Sequence, residues 1–174
     1  MKQEVILLLG SNMGNREELL YKACQALQNE VGELTHLSGL YETEPWGFEA
    51  EQNFLNQVAT LKTNLNPHQL LKVTQQIEAR AGRVRAADGR FISRTLDIDI
   101  LFFGDRQIDT PNLQIPHPHL HKRRFTLVPL ADHHAQMEHP TLKQTISQLL
   151  ESCPDELPVQ TYQTKEAQKK AASC

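Results

Sequence analysis

Aromatic residues make up only 6% of this 174-residue chain, and none of them form the alternating run that stacks nucleic-acid bases on a sheet. A net charge of −3 argues the same way, since general nucleic-acid binders are basic overall. No apolar stretch approaches the ~20 residues that span a bilayer. The N-terminus has no basic region followed by an apolar run and a small-residue cleavage site, so no secretory leader is expected. Cysteine is scarce: Cys24, Cys153 and Cys174 form neither a disulfide framework nor a metal-ligand spacing. The expectation is a cytoplasmic protein in a reducing compartment, with no membrane or nucleic-acid partner. Gly10-Ser11-Asn12 follows an apolar run but lacks the glycine spacing and lysine of a P-loop.

What remains is an ordinary globular composition, 39% apolar, in a length that suits a single domain. Glu4 to Leu9 reads as a buried strand ended by Gly10. Asn15 is a candidate helix N-cap, with Glu17 and Glu18 in the first turn. Leu20, Ala23, Cys24 and Leu27 then fall on one helical stripe that ends near Gly32. Strands are predicted over 34–42 and 54–63. Asn66-Pro67 starts a second helix, whose inner face runs through Leu70, Leu71, Thr74, Ile77 and Ala81. Another strand begins at Leu96. This order predicts an α+β, ferredoxin-like antiparallel sheet with helices packed on one face. A further C-terminal helix is expected over about 141–151, capped near Thr141. The domain would cover residues 1–151, and residues 152–174 read as a polar, frayed tail.

The densest chemical signal lies between Arg80 and Asp99. Arg80, Arg83, Arg85, Arg90 and Arg94 surround a glycine-containing stretch whose only acid is Asp88. Arginine forks match phosphate oxygens. Leu96-Asp97-Ile98-Asp99-Ile100 follows as an alternating strand, so Asp97 and Asp99 share a face roughly 6–7 Å apart. Two carboxylates side by side repel each other. A bound Mg²⁺ relieves that cost and keeps positions open for water and phosphate. Arginines running into an aspartate pair therefore predict a site for a metal-bound polyphosphate, with a basic loop over 84–93 able to close on it.

These residues also carry a family resemblance. Gly10-Ser11-Asn12, Tyr41 to Gly47, Phe54-Leu55-Asn56, Gln75 with Glu78, Gly82 to Arg85, Arg94 to Asp99, Pro116-His117-Pro118, Arg123-Arg124-Phe125 and Val128-Pro129-Leu130 appear in the order of the 6-hydroxymethyl-7,8-dihydropterin pyrophosphokinase family, which this chain resembles from residue 5 to about 150. The resemblance implies a monomeric enzyme of folate synthesis, acting on two small molecules. ATP gives a diphosphoryl group to the pterin hydroxymethyl, leaving AMP, with two Mg²⁺ ions. It implies that Asp97 and Asp99 hold the metals and that Arg83 and Arg94 act with them in catalysis. Gln75, Glu78, Arg85, Ile100, His117 and Arg123 would surround ATP. Phe54 and Phe125 would sandwich the pterin, with Asn56 and the stretch through Thr43, Pro45 and Trp46 reading its edge. Two departures stand out: Pro118, where some members carry an aromatic, and Arg124, where a small residue is common.

Two other readings compete. His117, His119 and His121 alternate as zinc ligands can, although Pro116 and Pro118 disfavour a regular strand there. Ferredoxin-like sheets also carry RNA on exposed aromatics, but the 6% aromatic content and the absence of an RNP-type aromatic run argue against that reading.

Overall fold

A computed structural model describes residues 1–45, 52–82 and 96–173. Its centre is β1 (Gln3–Ser11), in which Val5 to Leu9 are all buried. A strand apolar at every position can only be satisfied by cover on both faces. α1 (Arg16–Glu30) follows, with the Asn15 side chain accepting from the Glu18 amide at 3.2 Å and Leu20, Ala23, Cys24 and Leu27 turned inward. β2 (Gly32–Leu37) and β3 (Tyr41–Thr43) both pair with β4 (Phe54–Thr63). α2 (Pro67–Arg80) opens on a reciprocal capping box between Asn66 and Gln69. β5 (Asp97–Phe103) then pairs with β1, and a short hairpin of β6 (Ile108–Thr110) and β7 (Leu113–Ile115) lies beside it. α3 (Arg124–His134), α4 (Ile146–Glu151), β8 (Val159–Thr161) and α5 (Lys165–Ala172) complete the chain. The main sheet is antiparallel in the order β5-β1-β4-β3-β8, with β2 also on β4.

The fold is α+β with an antiparallel sheet, but its helices do not all lie on one face. Val5, Leu7 and Leu9 pack with Leu20, Leu27, Leu70 and Ile77 of α1 and α2. Ile6 and Leu8 point the other way and pack with Leu127 and Leu130 of α3 and Ile146 and Leu149 of α4. The reason is visible in β1 itself, which alternates nothing but apolar groups. A register shift near Ile6 and Leu7, opposite Ile100 and Phe102 of β5, turns Leu101 and Phe102 together into the α3/α4 core.

Three further expectations change. The helix α3 is absent from the sequence reading because Pro129 lies inside it. The helix predicted from about 141 begins only at Ile146, with Thr145 as the cap. His139 Nδ1 accepts from the amides of Thr141 and Leu142, and Lys143 takes a positive φ of 56°, so a turn occupies those residues. The polar tail is not frayed throughout. Tyr41 to Thr43 pair with Val159 to Thr161, and Tyr162 donates its amide to Leu40 O at 2.8 Å. Among the described residues no helix is long and apolar enough to cross a membrane.

Gly32 allows α1 to hand over to β2 at close quarters, since a Cβ there would lie 2.1 Å from the carbonyl oxygen of Lys62. That atom is backbone in a paired strand and has little room to retreat. Gly32→Ala is expected to lower unfolding free energy by about 2 kcal/mol, the scale of overpacking a tight contact. Urea denaturation of both proteins measures it; an unchanged midpoint would contradict the close approach.

Candidate active site

Gly10 is the meeting point of the site. It pairs with Asn56 on one side and Asp97 on the other. Directly opposed residues in antiparallel strands share a face, so Asn56, Gly10 and Asp97 form one row across three strands. Asp99 lies on the same face two residues on, opposite Leu8. Phe54 and Thr43 oppose each other on that face as well. The missing side chain matters: a Cβ on Gly10 would stand 3.1 Å from Asn56 Oδ1 and 3.7 Å from the Phe54 ring. Asn56 is buried and donates Nδ2 to Thr43 Oγ1 at 3.0 Å, which fixes the amide and leaves its oxygen facing Gly10. This is the face covered by α3 and α4, and Phe125 in the first turn of α3 packs against their core.

Asp97 and Asp99 are half-buried on that row. The donor set suits Mg²⁺, which takes one or two carboxylates and fills its octahedron with water and phosphate oxygens. Among the described residues no three His, Cys, Asp or Glu side chains converge on one point. His117 and His119 stand with ring centroids 6.0 Å apart.

A cleft of about 550 Å³ runs along the outer edge of β5. Gln75 and Glu78 of α2, the strand from Ile98 to Ile100, Pro111 to Gln114 of the β6–β7 hairpin, and His117 line it. Glu78 is 3% exposed, and its carboxylate accepts from the Ile98 amide at 3.2 Å. His117 closes the far end, donating its amide to Leu101 O at 3.0 Å. Its Nδ1 accepts from the His119 amide at 3.2 Å, so the neutral ring carries its proton on Nε2. Burial, with Arg123 and His119 nearby, pushes the His117 pKa down to about 4 against the opposing pull of Asp97. The imidazole is therefore neutral at pH 7 and is a hydrogen-bond donor through Nε2. The Arg123 guanidinium lies 5.7 Å from the centre of the Phe125 ring.

The described residues thus divide the expected site into a sheet face and an edge cleft that meet at Asp99. Pro45 lies at the end of the described stretch after β3. Trp46, Arg83, Arg85 and Arg94, together with the loop at 84–93, lie outside the described residues. Asn112 and Gln114 line the cleft but are not singled out by sequence reasoning. Their signal was the turn at Thr110-Pro111-Asn112, where Thr110 Oγ1 accepts from the Leu113 amide at 3.1 Å.

Comparison with known proteins bears on this arrangement. A family described as "7,8-dihydro-6-hydroxymethylpterin-pyrophosphokinase (HPPK)" matches residues 6–135. The chain belongs to the 7,8-dihydro-6-hydroxymethylpterin-pyrophosphokinase family. Family members are enzymes that transfer a diphosphate group in folate biosynthesis, and this pyrophosphokinase is one of them. It is 45% identical over 130 residues to the 2-amino-4-hydroxy-6-hydroxymethyldihydropteridine pyrophosphokinase of Porphyromonas gingivalis, covering 74% of this chain and 88% of that one. Identity with the enzyme of the same name from Bacillus subtilis is 43% over 139 residues, covering 79% and 82%. The fold is also similar to the crystal structure of Plasmodium falciparum HPPK-DHPS with pteroate, at a TM-score of 0.71 and 19% identity, covering 87% of this chain and 42% of that longer one.

In this pyrophosphokinase the depressed pKa of His117 has a consequence for stability. A histidine whose folded-state pKa lies below its unfolded value binds fewer protons folded than unfolded, so stability rises with pH across the interval. The contribution is complete above about 6.5 and is lost as pH falls toward about 4. Without ATP or Mg²⁺, the melting temperature of the wild type should fall more steeply between pH 6.5 and 4 than that of His117→Asn. Parallel curves would count against a buried neutral imidazole.

Proposed function

We propose that this pyrophosphokinase moves the β,γ-diphosphoryl group of ATP to the hydroxymethyl oxygen of 6-hydroxymethyl-7,8-dihydropterin, giving AMP and the pterin diphosphate. The observation that carries the reading is the row through Gly10, which sets Asn56 and Asp97 on strands either side of one residue. A hydrogen-bonding amide and a carboxylate pair at that separation suit a substrate whose ring is read by one and whose reactive end meets phosphate held by the other.

The roles follow from position. The pterin hydroxyl oxygen forms the new bond to the β-phosphorus, the bond from that phosphorus to the bridging α,β oxygen breaks, and AMP leaves with that oxygen. Asp97 and Asp99 would hold two Mg²⁺ ions, which supply charge neutralisation on the phosphates when bound. Glu78, Gln75, Ile100 and the hairpin at 108–115 would bind the nucleoside in the edge cleft. His117, neutral with its proton on Nε2, would donate to a phosphate oxygen without taking a proton. Arg123 adds positive charge at the same end, while Arg85 is a further candidate for the triphosphate. Arg83 and Arg94 would oppose the charge that develops as the diphosphoryl group moves. Phe54 and Phe125 would stack on the two faces of the pterin, and Asn56 would bond its edge beside Thr43, Pro45 and Trp46. The helix-packed antiparallel sheet fits a ferredoxin-like core extended by α3 and α4. We place the step in the cytoplasm, where ATP is supplied, and carried out by a monomer.

The decisive assay offers ATP, Mg²⁺ and the reduced hydroxymethylpterin and identifies the nucleotide product. AMP is expected; ADP would make the protein an ordinary kinase. Asp97→Asn and Asp99→Asn should each lower turnover by about a thousandfold, several kcal/mol of lost charge stabilisation, with the fold retained by circular dichroism. Full activity of either at saturating Mg²⁺ would refute the aspartate pair. Arg83→Ala and Arg94→Ala should reduce kcat by about a hundredfold while raising the KM for ATP by less than about tenfold, because their interactions strengthen in the transition state. A rise in KM alone would make them ground-state clamps.

A further inference from the structure

The family match ends at residue 135, yet the chain beyond it holds the start of α3 and lies against the arginine that holds the start of β4. Asp155 is the first contact. Its Oδ2 accepts from the Arg124 amide at 3.0 Å, one residue before Phe125, where α3 has no side-chain cap of its own. Its Oδ1 accepts from the Leu157 amide at 3.1 Å, which holds the carboxylate in place. Four residues later β8 joins the sheet by pairing with β3. Tyr162 follows. Its hydroxyl donates to Glu17 Oε1 at 2.7 Å, and its ring lies 5.5 Å from the Arg16 guanidinium. Arg16 Nη1 donates to Glu42 Oε2 at 2.6 Å and to the Asn53 carbonyl at 2.7 Å, one residue before Phe54. The Arg16 side chain is only 17% exposed. Glu42 opposes Leu55, so this clamp works from the α1/α2 face, behind the row that carries Asn56.

We infer that a strap of residues 155–162, together with Arg16 of α1 beneath the Tyr162 ring, fixes the separation of the two ring-bearing walls, with Asp155 and Arg16 as the positioning residues. The inference rests on the pterin reading of Phe54 and Phe125. Neither residue touches substrate. Asp155 sets where α3 begins, and hence where Phe125 stands; Arg16 sets where β4 begins, and hence where Phe54 stands. A flat ring held between two walls is sensitive to their spacing, because stacking falls away steeply with a gap. The nucleotide cleft lies at the opposite edge of the sheet, on β5, with β1, β4 and β3 between it and β8 of the strap. The strap should therefore act mainly on the pterin.

The test compares steady-state constants for Arg16→Gln, Asp155→Ala, Asp155→Asn and Phe54→Ala in the full chain. Arg16→Gln and Asp155→Ala should each raise the KM for the pterin by about tenfold, the scale of a lost charge-assisted hydrogen bond. Arg16→Gln should keep kcat and the KM for ATP within about twofold, and Asp155→Ala, whose anchored amide adjoins Arg123, should raise the pterin KM more than the KM for ATP. Asp155→Asn keeps one acceptor oxygen for two amide donors and should raise the pterin KM by less than Asp155→Ala does. A merely structural role would instead lower the active fraction, seen as a fall in kcat with both KM values unchanged, and that would overturn the inference. So would equal rises in both KM values, or a shift in only one of the two variants. If Phe54→Ala raises the pterin KM while Arg16→Gln and Asp155→Ala do not, the strap alone fails. If Phe54→Ala leaves the pterin KM unchanged, the pterin site itself has been misassigned and the strap falls with it.

Discussion

The pairing of β1 with both β4 and β5 is the constraint on which the site depends. Val5 to Leu9 bury five consecutive apolar side chains, two on one face and three on the other, and nothing but a central strand between two helical layers accommodates that run. Once β1 is central, its two registers are locked by the same side chains, because slipping by one residue would exchange the two cores. The register that satisfies the core at Leu7 and Leu9 is the one that brings Asn56 and Asp97 to Gly10. The chemistry is thus placed by hydrophobic burial several residues away from it.

The two helical layers then divide the labour. α1 and α2 cover one face and reach round the edge of β5 through Glu78. α3 and α4 pack on the other face against Leu8 and Val58, and the row at Gly10 that follows is polar. The candidate site row is therefore the polar end of a face whose other end is apolar core. The candidate side chains come from β3, β4, β5 and α3, elements that are far apart in the chain.

Much of this was legible in the sequence where the signal was local and periodic. The stripe of α1, the capping box of α2 and the alternation of Asp97 and Asp99 each declare themselves within a dozen residues. The run at Glu4 to Leu9 also declared burial, yet the second helical layer it required was overlooked. Elsewhere local chemistry misled. Pro129 reads as a helix breaker, but α3 retains it with its ring buried, since packing against the sheet outweighs one lost hydrogen bond. Leu142 looks like the start of an apolar stripe, but it is 40% exposed, because His139 captures the amides that a helix would use. Val159 to Thr161 are too few for any period to show, and their partner is more than a hundred residues earlier. The arginine cluster was the clearest chemical signal, although Arg83, Arg85 and Arg94 lie outside the described residues.

Glu78 illustrates a further demand on such a protein. β5 is the outermost strand of the sheet on its side, and an outermost strand displays backbone groups that a second molecule's strand could complete. The buried carboxylate occupies the Ile98 amide, and the amide of His117 occupies the Leu101 carbonyl. Among the described residues, the short stretch between them faces the hairpin at 108–115 across the cleft. A flat heterocycle can slide into a slot of that length, whereas an extended polypeptide needs a longer ladder to hold on. The edge proposed for the nucleotide is thus guarded against the molecule polymerising along its own sheet.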